Sequence, residues 1–262
     1  MYAFDYRRPG TVAEADLALK AAPGAKLLAG GQTLIPAMKL RLAQPGNVVD
    51  LGAIAGLRGI TKVDGALRIG AMTTHAAVAE SADVKAAIPG LAALAAGIGD
   101  PHVRNRGTIG GSVANNDPGA DYPAGLLALG ATVHTSKRAI AADAFFQGLF
   151  ATALDDNEII THIDIPVPES FAYAKFANPA SRYALVGVAV AKSKAGVRVA
   201  VTGAGASGVY RLADAEKVLA ANFSAKALDG VKIDASNMMS DMHAASDYRA
   251  HLVGVMLRRA VG

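Results

Sequence analysis

The chain has 262 residues, 52% of them hydrophobic and 18% charged, with a formal net charge of only +4. That composition supports one large or two to three small packed cores and excludes a disordered chain. Cysteine is absent, which excludes disulfides, thiolate nucleophiles, Cys-ligated zinc and any iron–sulfur cluster held by this chain.

The opening "MYAFDYRRPG" has no apolar core behind its basic residues, which predicts a cytoplasmic protein rather than a secreted one. No apolar run approaches the roughly 18 residues of a membrane span. No basic run exceeds Arg7-Arg8, so nucleic-acid binding is not expected. Thr11 followed by Glu14 reads as a capping box and predicts a helix over 11–22. Short β-branched runs bounded by Gly, Pro or Asp predict strands at 26–29, 47–51, 67–69, 131–134 and 159–165. Helices are expected at 74–81, with a Thr cap, and at 88–98, with Pro89 in the first turn. Two prolines in Pro166-Val167-Pro168 break any element and predict a boundary. Beyond it, 185–192 and 197–202 read as strands paired around Ala195-Gly196, and 214–221 and 246–260 as amphipathic helices. The expected class is α+β, in at least two domains.

Two segments share one pattern: Ala29-Gly30-Gly31-Gln32-Thr33 and Ile109-Gly110-Gly111-Ser112-Val113. Adjacent glycines admit positive φ and let a ligand approach the backbone. Successive exposed amides then make an anion-binding concavity. The first segment leads into a predicted helix with Thr33 as cap and Pro36 near its start. Each Gly-Gly could equally be a plain tight turn. Together the two turns suit the two phosphates of a dinucleotide.

The stretches "AGGQTLIPAMKLRL" and "DPHVRNRGTIGGSVANNDPGADYPA" closely resemble the FAD-binding medium subunit of molybdenum hydroxylases of the carbon monoxide dehydrogenase type, in the wider xanthine dehydrogenase family. The resemblance runs from "FDYRRPGTVAEA" through "LRIGAMTTHAAV" to "SDYRAHLVGVMLRRAVG". It implies a two-subdomain FAD-binding fold of the vanillyl-alcohol oxidase/p-cresol methylhydroxylase type. A C-terminal domain with a three-stranded antiparallel sheet and helices completes it. The corresponding division is 1–56, 57–166 and 170–262. The resemblance implies non-covalent FAD, and the absence of cysteine excludes a cysteinyl link.

The resemblance also implies a site. Ala29, Gly30, Gly31, Gln32 and Thr33 match the first diphosphate loop. Thr108, Ile109, Gly110, Gly111 and Ser112 match the second. Asp121 matches an acidic residue near the FAD ribose, although it could instead cap a helix starting at Tyr122. Ile98, Ile160 and Lys175 align with cofactor contacts, and Tyr183 with an aromatic that shields one flavin face. Ile98, Ile160 and Tyr183 would also serve as core residues, and Lys175 as a solvated strand charge. The implied partners are a small subunit with two [2Fe–2S] clusters and a large molybdopterin subunit, in a dimer of heterotrimers. Electrons would pass from the clusters through FAD to an external acceptor.

Gly203-Ala204-Gly205-Ala206-Ser207-Gly208 matches G-x-G-x-x-G, but Val209-Tyr210-Arg211 follows where a dinucleotide motif needs a helix. A loop between strands is expected. The six histidines form no H-x-x-x-H or H-x-H pair, so no metal site is expected. No side chain is set up for acid–base or nucleophilic catalysis, as suits a chain whose cofactor does the chemistry. Two other readings fit the chain: a stand-alone FAD-dependent oxidoreductase of the same fold, and a non-catalytic nucleotide-binding module.

Overall fold

In the computed structural model, which describes residues 1–262, the predicted strands sort into three main sheets. In the first, Asn47–Asp50 lies between Asp5–Arg7 and Lys26–Leu28, parallel to both. The helix Val12–Lys20 covers it. Thr11 accepts from the Glu14 amide and Glu14 accepts from the Gly10 amide, so the capping box forms, with its return bond one residue earlier than usual. Ala15, Ala18 and Leu19 pack with Val49, Leu51 and Ile54 in a small core of their own.

The second sheet is antiparallel throughout and runs Ile60–Val63, Ala66–Gly70, Ile160–Pro166, Thr132–Thr135, Ala139–Ala141. Six helices are inserted between Ala66–Gly70 and Thr132–Thr135, from His75–Glu80 to Asp121–Leu129. Leu67, Ile69, Val133, Ile163 and Ile165 point inward onto Leu91, Leu94, Leu126 and Leu127. Every residue of Asp121–Leu129 is buried. An apolar helix without a polar face must be covered on all sides, and the third sheet supplies the remaining cover.

That sheet contains Ser170–Ala177, Ala184–Ser193 and Gly196–Thr202, all antiparallel. A two-residue edge strand, Tyr210–Arg211, extends the expected three strands to four. Ala189, Ala191 and Ala200 face the inserted helices. Val188, Val190, Val199 and Val201 face Leu219, Leu252, Val253 and Met256 on Ala213–Ala221 and Ser246–Val261. Burial on both faces explains the unbroken apolar run in Ala184–Ser193, where a half-exposed strand would alternate. The second sheet ends at Pro166 and the third begins at Ser170. The G-x-G-x-x-G segment is a loop between Gly196–Thr202 and Tyr210–Arg211, as expected.

Arg249 locks the last helix in place. It is 2% exposed. Its Nη1 donates to the carbonyls of Leu185 and Gly203, both at 2.7 Å, and its Nη2 to Asp241 at 2.8 Å. Removing the guanidinium orphans two buried carbonyls. Arg249→Met is expected to cost about 2–4 kcal/mol, read as a lowered urea midpoint with an unchanged slope.

Candidate functional site

The first glycine segment leaves the strand Lys26–Leu28 and enters the helix Leu34–Lys39. Gly31 has φ of +75°, in the left-handed region. The amides of Gly30, Gly31, Gln32, Thr33 and Leu34 donate to no backbone carbonyl. Thr33 occupies the cap position but makes no capping bond, so its hydroxyl leaves them free. Five consecutive amides without an acceptor are the kind of main chain from which anion-binding concavities are built. The helix is only six residues long, so the amides themselves, rather than a long helix dipole, set the local field.

The second segment departs from the predicted turn. Ile109–Asn115 is a helix, and Gly110-Gly111 lies in its first turn. Thr108 is the cap and accepts from the Gly111 amide at 3.1 Å. The amides of Ile109 and Gly110 donate to Thr73 and Ala71. These amides are spent, so the two glycines serve close approach instead. A Cβ on Gly110 would lie 2.6 Å from the Ala71 Cβ. One on Gly111 would lie 3.4 Å from the Ala29 Cβ, and one on Gly30 would lie 2.2 Å from the Arg106 carbonyl oxygen. The first segment, 80 residues away in the chain, therefore meets the main chain of Arg106-Gly107 just before the second, and Ala29 touches Gly111.

A second group assembles around Asp121. It is the first residue of its helix, and Ala120 holds the cap position, so capping is not its role. Its carboxylate accepts from the Tyr173 hydroxyl at 2.5 Å and from Lys175 Nζ at 3.1 Å. Lys175 also donates to the carbonyls of Gly97 and Arg182, at 2.8 and 3.0 Å. Its side chain is 12% exposed, so it is not a solvated strand charge. Burial pushes the Asp121 carboxyl up from its ordinary value, against the opposing pull of Lys175 and Tyr173.

Tyr183 follows Arg182, whose φ is +62°, and is 47% exposed, so it is not a core residue. Its ring packs on Gly119, where a Cβ would meet Cδ1 at 3.0 Å. Burial, Asp117 and Asp121 raise its hydroxyl pKa. Ile98 is half-buried beside Gly97, and its carbonyl accepts from Arg104. Ile160 is a core residue at 6% exposure. The next carbonyl, that of Thr161, accepts from Ala71, the residue under Gly110.

Three participants carry no signal in the sequence. Ala71 is the platform for Gly110, and Tyr173 is the second donor to Asp121. His75 is buried at the back of the second segment, where a Cβ on Gly107 would meet its Nε2 at 2.6 Å. Burial, then Arg104, push its pKa down to about 4. Each is identified only by the contact it makes across the fold.

Lys175→Met leaves Asp121 buried without its counter-charge and is expected to cost about 3–5 kcal/mol. Asp121→Asn combined with Lys175→Met should recover part of that loss. A double-mutant cycle on urea midpoints measures the coupling.

Residues 2–168 match the family described as the FAD binding domain in molybdopterin dehydrogenase. The chain is 37% identical to the nicotine 6-hydroxylase medium subunit of Paenarthrobacter nicotinovorans, over 99% of this chain and 96% of that protein. It is likewise 37% identical to the carbon monoxide dehydrogenase medium chain of Afipia carboxidovorans, over 98% and 95%. Among solved structures it superposes on the Cu,Mo-CO dehydrogenase with a TM-score of 0.91 at 37% identity, over 98% of this chain and 96% of that one. On quinoline 2-oxidoreductase from Pseudomonas putida 86 the TM-score is 0.89 at 30% identity, over 99% and 96%. Matched along nearly its whole length, the chain belongs to the FAD-binding medium subunits of the molybdopterin dehydrogenases.

Proposed function

We propose that this chain is the flavoprotein subunit of a heteromeric molybdenum hydroxylase. It holds FAD between two [2Fe–2S] clusters on a small partner subunit and an external electron acceptor. A large molybdopterin subunit completes the complex as a dimer of heterotrimers. The observation that carries this reading is the meeting of Ala29–Thr33 with Thr108–Ser112, with five amides free at the junction. A chain without cysteine needs a partner to hold any cluster. No helix is long and apolar enough to cross a membrane.

The residues fit the cofactor. The free amides from Gly30 to Leu34 suit the diphosphate charge, and Gly110 and Gly111 bring the second helix close without a side chain between. Gln32 and Thr33, both exposed, add side-chain donors at the same place. We assign Asp121 and Lys175 to the ribose side and Ile98 and Ile160 to the walls. Tyr183 is assigned to one face of the ring, where an aromatic side chain can stack and limit access. Bound FAD supplies the redox-active ring, and the protein positions it and sets the hydrogen bonds and charges around it. The division at 1–56, 57–166 and 170–262 then reads as two subdomains around the diphosphate and a third unit covering the ring.

Two experiments test the reading. Acid-denatured protein is expected to release FAD, identified against FAD, FMN and NAD standards, at close to one per chain. Protein that is colourless and takes up no added FAD when its partner subunits are present refutes it. Gly31→Val should abolish FAD binding while far-ultraviolet circular dichroism stays native. Full flavin occupancy in this variant overturns the loop assignment.

A further inference from the structure

The outer face of the five-stranded sheet carries a cluster outside the cofactor site. Ile163 and Ile165 point into the core, so His162 and Asp164 project to the other side. Val133 likewise turns His134 outward. His134 and His162 are direct cross-strand partners, and their rings stack with centroids 4.3 Å apart. His134 Nε2 lies 3.1 Å from Asp164 Oδ2, and one ring nitrogen of His162 completes a set whose atoms all lie within 4.8 Å of one another.

We propose that His134, His162 and Asp164 bind a single zinc-type divalent metal ion, with its remaining coordination positions open to solvent. Two imidazoles and a carboxylate are the donor set of open zinc sites. Zinc arms of about 2.0–2.1 Å place tetrahedral ligands roughly 3.3 Å apart. The His134–Asp164 separation already matches, whereas the two imidazole planes, stacked 12° from parallel, must tilt apart before both lone pairs reach one ion.

The hydrogen bonds around His162 prepare it for this role. Thr161 Oγ1 donates to the His134 carbonyl at 3.2 Å and lies 3.0 Å from His162 Nδ1. With its own proton committed, the hydroxyl accepts from Nδ1–H. That fixes the tautomer with the lone pair on Nε2, as the outer partners of metal-bound histidines do. Nε2 is buried and has no partner. Arg68 grips Asp164 through two 2.8 Å bonds. A carboxylate has about four lone-pair sites, so Asp164 can keep Arg68 while Oδ2 exchanges the His134 proton for the metal. Spacing along the chain predicts no metal pair because His134 and His162 become neighbours only through strand pairing.

The test uses the flavin-loaded protein, stripped with a chelator and dialysed against Zn²⁺. Elemental analysis is expected to find one zinc per chain. His162→Asn and His134→Asn should each weaken binding by about tenfold or more, measured by competition with a chromophoric chelator, while His251→Asn leaves it unchanged. Thr161→Val, which keeps all three ligands, should weaken binding less. Wild-type protein that retains no zinc, or equal retention in the wild type and both ligand variants, overturns the site. If the ligand variants lose their fold, Co²⁺ added to the wild type decides: an absorption band of a low-symmetry cobalt site supports the proposal, and a hexa-aquo spectrum overturns it.

Discussion

Close backbone approach is the constraint on which the rest of this structure depends. At Gly30 and Gly110 main chain meets neighbouring segments at distances that no side chain tolerates. The first segment comes from the small parallel sheet. The second comes from the helical insertion in the antiparallel sheet. Joining them requires that Arg106-Gly107 pass directly under Gly30, and that Ala71 lie directly under Gly110. Positions in both outer elements are therefore fixed by a few glycines, and the amides of Gly30–Leu34 are left without backbone acceptors beside them.

A second constraint is polar. The helix Asp121–Leu129 lies between two sheets, and its first residue is a buried carboxylate. A buried charge is tolerated only when paired and hydrogen-bonded. Tyr173 and Lys175, both on the strand Ser170–Ala177, supply the partners. The pairing fixes how the C-terminal sheet sits on the helical insertion, because a shift of that strand by one residue would turn both donors away. Packing of alanines and valines alone would tolerate such slips far better.

Much of this was legible in the chain. The capping box at Thr11–Glu14, the strands around Ala195-Gly196 and the break at Pro166 are local signals, and local chemistry decides them. The two glycine segments were legible as bare backbone, read as room for a ligand rather than for neighbouring main chain. The helical state of Gly110-Gly111 was not. Glycine costs about 1 kcal/mol in a helix interior, and here the Thr108 cap and the carbonyls of Ala71 and Thr73 offset that cost. Those carbonyls lie some forty residues away and leave no trace in the motif. The partners of Asp121 lie more than fifty residues downstream. Side chains that act through long-range pairing look, in sequence, like ordinary surface or core residues.

The ammonium of Lys175 has three N–H groups, and the carbonyls of Gly97 and Arg182 and the carboxylate of Asp121 occupy all three. Any ligand atom that engages Lys175 must displace one of them. Gly97 is fixed at the end of a buried helix and Asp121 is buried, whereas Arg182 sits in an exposed turn with φ of +62°. The Arg182 carbonyl is the tether nearest solvent, and its turn is held independently by the bonds from the Arg182 amide to Asn178 and from the Asn178 amide to Tyr183, so this tether can yield while the turn keeps its shape.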